Sequence, residues 1–267
     1  MLNFSANLTF LFPELGFLDR FAAAKSAGFD AVEYVCLYDH PAEVLSDAAK
    51  QAGVETILLN VPHGRWADGE RGIAIFSDRV DEFRASLSQT IAYCRATGCR
   101  QVNCLAGIVP QGMSATGADH ERLRAVFVDN LRYASAVLGE AGIRLLIEPI
   151  NTRDIPGFFL SRTVDALSII DDVGSDNLFL QFDCYHAQVM EGDLVHTIRQ
   201  HLPRIGHVQI ADNPGRNEPG TGEINYGFVL AELDRLGFAG YVGLEFRPRA
   251  STTQGLSWMA SLRAPRA

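Results

Sequence analysis

The chain has 267 residues, of which 47% are hydrophobic and 21% are charged, a composition typical of one compact domain with a large core. Acidic residues outnumber Lys and Arg by 32 to 23, and the net charge of −9 argues against nucleic acid as a partner. No window approaches the roughly 18 apolar residues of a membrane span, and the N-terminus lacks the basic region of a secretory signal. The five cysteines match no CxxC spacing, so we expect reduced thiols in a cytoplasmic protein without a membrane partner.

Eight short apolar runs alternate along the chain with amphipathic stretches of helical period. The predicted strands are 2–8, 30–35, 54–60, 100–106, 143–149, 178–183, 205–211 and 241–246. The predicted helices include 17–29, 40–53, 79–98, 120–142, 163–174 and 228–238. Several of these helices end in a glycine, such as Gly53 and Gly98, because glycine adopts the left-handed conformation that terminates a helix.

The alternation of strands and helices predicts a parallel sheet, and eight units in this length favour closure into a single (β/α)₈ TIM barrel. We expect the barrel to span residues 1–260 and residues 261–267 to form a C-terminal tail. An open dinucleotide-binding sheet would need a glycine-rich turn after the first strand, and the sequence has none there.

Polar side chains close the last four predicted strands, where the active site of such a barrel lies. Glu148, Asp183, Gln209 and Glu245 are each separated by about one strand–helix unit, so they should rise from four adjacent strands. Three carboxylates and an amide oxygen form a hard donor set suited to Mg²⁺ or Mn²⁺. Polar residues often close strands without a function, but four in consecutive strands predict a metal site.

Two histidines accompany this set of polar residues. His207 lies two residues before Gln209 on the same strand, so both side chains should point to one face, and His207 is a candidate for substrate binding. His186 follows Asp183 by three residues, in a predicted loop DCYHAQVMEG (183–192). A single histidine is usually a surface or core residue, but the position of His186 just past a strand end that carries a candidate ligand favours a functional role.

The predicted loops 60–74 and 211–226 are too long and too charged to be simple connections. Long loops at this face often close over a substrate, and the glycines and Trp66 of the first loop suit a mobile lid. The candidate substrate-binding residues of the two loops are Asn60, Glu70, Arg71 and Arg216. Cations at the mouth of an acidic site indicate a substrate with its own negative charge, although solvated loops with incidental charges remain an alternative.

Five motifs together carry a resemblance to a known family: FSANL, WADGERGIA, LLIEPIN with DIPGF, QFDCYH, and IGHVQIADNPGRNEPGTGEINY. With them the chain resembles the hydroxypyruvate isomerase family of the xylose-isomerase-like barrel superfamily, from about residue 2 to at least Trp258. The resemblance implies that Glu148 and Glu245 are the catalytic acid/base pair. It also implies that a divalent metal is held by Glu148, Asp183, Gln209 and Glu245, and that His186 and Arg216 touch substrate oxygens.

The activity implied by the resemblance is the interconversion of hydroxypyruvate and tartronate semialdehyde, through an enediolate that the metal stabilises. Closely related enzymes isomerise 2-oxo-tetronate, and His63 and Arg65 in VPHGRW depart from the family pattern, so the sugar acid stays open. Related ketose 3-epimerases have a histidine where this chain has Gln209. An apurinic endonuclease would need a histidine-rich three-zinc site, and an inactive sugar-binding barrel would not need both glutamates. The oligomeric state stays open, a homo-oligomer included.

Overall fold

In a computed structural model, which describes residues 1–35, 38–114 and 116–260, eight parallel strands pair in chain order and close into a barrel. The strands are β1 (Asn3–Asn7), β2 (Ala31–Glu33), β3 (Glu55–Asn60), β4 (Gln101–Asn103), β5 (Arg144–Ile147), β6 (Leu178–Asp183), β7 (Ile205–Ile210) and β8 (Tyr241–Leu244). The predicted (β/α)₈ barrel is therefore confirmed, and each strand lies within its predicted run. The predicted tail 261–267 and Cys36 lie outside the described residues; Cys94, Cys99, Cys104 and Cys184 are buried.

The α-helices lie between the strands and beyond the last one. They are α1 (Asp19–Ser26), α2 (Ala42–Ala52), α3 (Val80–Thr97), α4 (Gly117–Glu140), α5 (Thr163–Val173), α6 (Cys184–Met190), α7 (Leu194–His201), α8 (Tyr226–Arg235) and α9 (Thr252–Gly255). Gly53 and Gly98 follow α2 and α3 with φ of 71° and 76°, the left-handed conformation expected of them. Within residues 1–35, 38–114 and 116–260, no helix has the length and apolar character of a membrane span.

Alternate residues of each strand belong to different environments, because successive side chains of a strand point to opposite faces. Val102, Phe182 and Val242 belong to the apolar core with helix residues such as Phe83 and Phe127. Many strand residues that point to the opposite face are polar and equally buried. They include Ser5, Asn7, Glu33, Asn103, Gln181, Asp183, His207 and Gln209. The barrel interior is thus lined with hydrogen-bonding groups.

The region after β6 differs from the prediction. The sequence DCYHAQVMEG was predicted to be a loop, and this was wrong, because residues Cys184–Met190 form helix α6. Asp183 caps the helix: its Oδ1 accepts hydrogen bonds from the backbone N–H of Tyr185 at 2.7 Å and of His186 at 3.4 Å. A helix of seven residues has too short an apolar pattern to detect, and the capping carboxylate was assigned only to metal binding.

Candidate active site

The carboxyl ends of the last four strands deliver the four predicted polar residues to one place. Glu148 and Glu245 directly follow β5 and β8, Asp183 ends β6, and Gln209 lies near the end of β7. All four are at most 8% exposed. Glu148, Gln209 and Glu245 line a cavity of about 200 Å³. The structure therefore brings together the set that the sequence predicted to hold a metal.

Arg216 lies against this acidic set. Its Nη2 contacts Glu245 Oε1 at 2.5 Å and Asp183 Oδ2 at 3.6 Å, so one guanidinium group faces both carboxylates. The guanidinium also lies over the ring of Phe10, at 4.7 Å from its centroid. The other predicted substrate contact on this side, His186, also lines the cavity.

The loop that carries Arg216 is folded around a buried carboxylate. Asp212 is fully buried, and its oxygens accept backbone N–H groups of Asn213, Gly220 and Ile224 at 2.8–3.1 Å. The backbone oxygen of Arg216 in turn accepts the N–H of Arg247 at 2.7 Å. These hydrogen bonds attach the 211–226 loop to the end of β8. Arg216 is therefore fixed beside Glu245 by the backbone as well as by charge.

Burial and mutual repulsion raise the pKa of each carboxyl group in the set. Burial and the charge of Asp183 raise the pKa of Glu148 to about 8. Burial raises the pKa of Glu245 well above its ordinary value, although Arg216 opposes the shift, and burial also raises the pKa of Asp183. Converging carboxylates need either protons or a cation to lie this close together.

The donor set suits a hard divalent cation. Oxygen or nitrogen atoms of Glu148, Asp183 and His186 lie within 4.8 Å of one another. Asp183 Oδ2 is buried and has no hydrogen-bond partner among the described residues, so an oxygen acceptor is left for a cation. Carboxylate and amide oxygens are the ligands that Mg²⁺ and Mn²⁺ prefer.

His186 is better placed to donate a hydrogen bond than to bind a metal. Asn151 Oδ1 accepts the backbone N–H of Asp154 at 2.8 Å, which directs Asn151 Nδ2 toward His186 Nδ1 at 2.6 Å. Nδ1 therefore accepts, and we assign the proton of the neutral ring to Nε2. Burial and the charge of Arg216 lower the pKa of His186 well below its ordinary value. The Nε2–H faces Asp183 and Glu148 at 3.5 and 3.9 Å, a position suited to a substrate oxygen.

Each candidate catalytic glutamate is bound by an asparagine of the first half of the barrel. Asn103 Nδ2 donates to Glu148 Oε2 at 2.7 Å, and Asn7 Nδ2 donates to Glu245 Oε2 at 3.2 Å. Neither asparagine was among the predicted site residues. They end β4 and β1, so the rule that selected Glu148 and Glu245, a polar residue at a strand end, would have found them.

Glu33 is the second group that the sequence analysis missed. It ends β2, is fully buried, and accepts Gln209 Nε2 at 2.7 Å. Burial alone would raise its pKa, but the charge of His207 and hydrogen bonds from His207, Gln209 and Ser5 lower the pKa below its ordinary value. An acidic residue inside the apolar run DAVEYV (30–35) was the available signal.

His207 and Glu70, two predicted substrate contacts, are not among the residues that line the cavity. His207 does share the inward face with Gln209, as predicted, but it is fully buried and its Nε2 lies 2.9 Å from Glu33 Oε2. Glu70 is ion-paired to Arg65 at 3.0 Å and to Arg79 at 2.8 Å. Two guanidinium groups therefore hold this carboxylate within its own loop.

Asn60 and Arg71, in contrast, both line the cavity. The guanidinium of Arg71 stacks on Trp66 at 3.8 Å, and its Nη1 donates to the backbone oxygens of Trp66 and Glu70 at 3.1 and 2.7 Å. This arrangement orders the 60–74 loop at the mouth of the cavity. Arg247, which the sequence analysis did not single out, also lines the cavity.

Comparison with known proteins gives consistent matches over nearly the whole chain. A family model described as xylose isomerase-like TIM barrel matches residues 21–262. The chain is 48% identical to hydroxypyruvate isomerase of Escherichia coli, over 98% of this chain and 100% of that protein. It is 42% identical to 2-oxo-tetronate isomerase of Cupriavidus necator, over 97% of this chain and 98% of that protein.

Solved structures share the same architecture. A protein of Brucella melitensis described as an AP endonuclease of family 2 superposes with a TM-score of 0.93 at 39% identity, covering 99% of this chain and 100% of that one. A 3-keto-D-glucoside 4-epimerase of E. coli superposes with a TM-score of 0.81 at 21% identity, covering 98% and 100%, which shows the fold alone.

Proposed function

The chain belongs to the xylose isomerase-like TIM barrel family, and we propose that it is an isomerase that interconverts hydroxypyruvate and tartronate semialdehyde. The observation that carries the proposal is the pair Glu148 and Glu245: both line one buried cavity, both have raised pKa values, and each is held by an asparagine. The 48% identity to a hydroxypyruvate isomerase over nearly the full length supports the same conclusion.

The reaction moves a proton between adjacent carbons while a carbonyl and a hydroxyl group exchange places. One glutamate takes the proton from the hydroxymethyl carbon, and the other delivers a proton to the former carbonyl carbon. A hydroxyl proton passes between the two oxygens, so the reaction needs no oxidant or reductant. A carboxyl group with a pKa near the working pH, such as Glu148 with a pKa of about 8, is suited both to accept and to return a proton.

A divalent cation, Mg²⁺ or Mn²⁺, fits the oxygen atoms of Glu148, Asp183, Gln209 and Glu245. The buried Asp183 Oδ2 supports this assignment, and the amide oxygen of Gln209 has a second lone pair besides the one that accepts from Gln181. When bound, the cation supplies Lewis-acid stabilisation of the negative charge that develops on the substrate oxygens. His186 Nε2–H is placed to hydrogen-bond one of those oxygens.

Arg71 is the group that we assign to the substrate carboxylate. Arg216 is already paired with Glu245 and Asp183, whereas Arg71 lines the cavity and has no acidic partner among residues 1–35, 38–114 and 116–260. The stack on Trp66 holds its planar guanidinium in place, which suits bidentate recognition of a carboxylate.

Other functions fit the cavity less well. An uncharged ketose, the substrate of a 3-epimerase, would leave Arg71 unpaired. An AP endonuclease would bind DNA through a basic surface, but the chain carries a net charge of −9, and His186 is the one histidine among the described residues that line the cavity. A 2-oxo-tetronate isomerase would use the same groups on a substrate one carbon longer and is the alternative that the 42% identity supports.

The test is a direct assay of the purified protein with Mg²⁺ or Mn²⁺ against hydroxypyruvate, 2-oxo-tetronate and the uncharged ketoses tagatose and psicose. We expect turnover of hydroxypyruvate, followed by proton nuclear magnetic resonance in ²H₂O to detect exchange at the reacting carbon. A higher kcat/KM for 2-oxo-tetronate would establish the alternative. Epimerisation of the ketoses without turnover of either acid would contradict the proposal.

A further inference from the structure

The two glutamates of the proposed reaction are connected by a chain of hydrogen bonds through the barrel interior. Asn7 Nδ2 lies 3.2 Å from both Glu245 Oε2 and Glu33 Oε1. Gln209 Nε2 donates to Glu33 Oε1, and Gln181 Nε2 donates to Gln209 Oε1, both at 2.7 Å. Gln181 also lines the cavity with Glu148 and lowers the pKa of that glutamate, which completes the connection. Three amides and one carboxylate thus join one candidate base to the other.

We infer that Glu33 is a positioning residue. It sets the donor-to-acceptor direction of these hydrogen bonds and so turns the oxygen of Gln209 away from β2 and toward the cation site. The inference rests on the proposed function, because it concerns how that site is held. Glu33 is not among the residues that line the cavity, so it acts through Gln209 and Asn7.

The direction follows from the chemistry of the groups. An amide nitrogen only donates hydrogen bonds and an amide oxygen only accepts, whereas an ionised carboxylate only accepts. Glu33 therefore receives the nitrogen of Gln209, and the amide oxygen must point the other way. The two ends of an amide are nearly equal in size, so packing alone would not prevent a flip. The acceptor at position 33 prevents it.

The barrel is built to accommodate this carboxylate. Ser5 Oγ donates to Glu33 Oε2 at 2.6 Å, and His207 Nε2 lies 2.9 Å from the same oxygen. On β8, a Cβ atom at Gly243 would lie 2.3 Å from Glu33 Oε1. Three groups therefore surround or make room for an acidic side chain that does not line the cavity, which a purely apolar filler would not require.

The hydrogen bonds between these side chains fix their orientation and do not transfer protons. Amide groups do not exchange protons readily, so Asn7, Gln209 and Gln181 cannot relay a proton between the glutamates. They can fix which atoms face the cation. Partners that orient a metal ligand typically change metal affinity or activity by about 10–100-fold when they are replaced.

The experiment measures Mn²⁺ binding by titration calorimetry, independently of turnover. Glu33→Gln keeps the size but presents a donor, so the Gln209 amide can flip; we expect Mn²⁺ to bind at least about 10-fold more weakly. Adding Gln209→Glu restores a donor–acceptor pair with the opposite direction and places a carboxylate oxygen at the cation site. This double variant should recover most of the affinity, and the Gln209→Glu single variant measures the part of the gain that comes from the added charge alone.

Glu232→Gln is the matched control. Glu232 is 9% exposed and pairs with Arg199 and Arg235 on the outside of the barrel, so its loss should leave Mn²⁺ affinity unchanged. If Glu33→Gln does not fold, Glu33→Asp, which keeps an acceptor, is used and should bind Mn²⁺ more tightly than Glu33→Ala.

Wild-type affinity in Glu33→Gln, or no recovery in the double variant, overturns the inference. A protein that binds no Mn²⁺ overturns it as well. A protein that binds Mn²⁺ and shows these changes but does not isomerise hydroxypyruvate keeps the inference and rejects only the proposed function.

Discussion

The two halves of the barrel contribute different chemistry to one cavity. Strands β5 to β8 deliver three carboxylates and Gln209, whereas β1, β3 and β4 end in Asn7, Asn60 and Asn103. Glu33 on β2 is the exception, and it lies outside the cavity lining. In the proposed function, the half with the acidic groups supplies the bases and cation ligands, and asparagines of the other half hold Glu148 and Glu245 in place.

This division shows how one site can combine high charge with rigidity. An ion pair lowers the pKa of a carboxylate, as Arg216 does for Glu245, so it holds the group in place but weakens its ability to accept a proton. A hydrogen bond from a neutral amide holds a carboxylate oxygen in place with a smaller effect on the pKa of the carboxyl group. We therefore expect changes in the acidic half to affect the chemical step more strongly than changes in the amide half.

The largest effect is expected from the two glutamates. Glu148→Gln and Glu245→Gln keep size and one ligand oxygen but abolish proton acceptance, so each should lower kcat at least about 100-fold. The double variant should be little worse than either single one, since residues that act as a unit are not additive. Steady-state kinetics at saturating Mn²⁺ separates this loss from weaker metal binding.

A single variant with near-normal kcat under that condition would show that its glutamate is not a base. The two-base mechanism would then be wrong, although the cation site could remain. Circular dichroism should show an unchanged fold, because removal of one crowded carboxylate relieves repulsion.

A smaller effect is expected in the amide half. Asn103→Ala removes the hydrogen bond that lowers the pKa of Glu148, so we expect kcat to fall about 10-fold, as for loss of a hydrogen bond to a charged group. Because the pKa of Glu148 then rises further, the acidic limb of the pH–rate profile should move to higher pH.

Asn130→Ala provides the comparison. Asn130 is also buried, but it donates to the backbone oxygen of Ala74 at 2.9 Å, on a helix outside the barrel. The Asn130→Ala variant should be less stable than the wild-type protein, and its pH–rate profile should be unchanged. Equal profiles for the two variants would mean that Asn103 acts only through stability.

The smallest effect is expected on thermal stability. Burial raises the pKa of Glu148 from 4.5 to about 8, so its folded state binds the proton more tightly. This contribution to stability is complete below about pH 4.5 and is lost as the pH rises through about 8, so the melting temperature of the ion-free protein should fall across that interval. Mn²⁺ competes with the proton, and its stabilisation should grow with pH.

Differential scanning fluorimetry with a chelator or with Mn²⁺ checks this at about pH 5.5 and about pH 7.5. At 100 times the Kd the ion should add about 2.7 kcal/mol, or roughly 5–10 °C for a chain of this size. A shift that is larger at the lower pH would contradict the assignment of the raised pKa values to the cation site.

The fold and the acidic half could be predicted because they follow from local patterns. The eight apolar runs set the strands, and the spacing of Glu148, Asp183 and Gln209 by whole strand–helix units places them on one rim. Side-chain partners could not be predicted in the same way. Glu70 forms ion pairs with Arg65 and Arg79, and His207 contacts Glu33. Contacts between different segments of the fold decide the direction of each of these side chains.

The stack of Arg71 on Trp66 has a practical consequence. The chain contains two tryptophans; Trp66 lines the cavity, and Trp258 packs with its ring 6.4 Å from that of Phe4. A bound acid that draws the guanidinium away from the indole alters the surroundings of one fluorophore and leaves the other untouched. With Trp258 replaced by phenylalanine, the intrinsic emission becomes an optical signal for occupancy of the cavity, usable even in variants that no longer turn over.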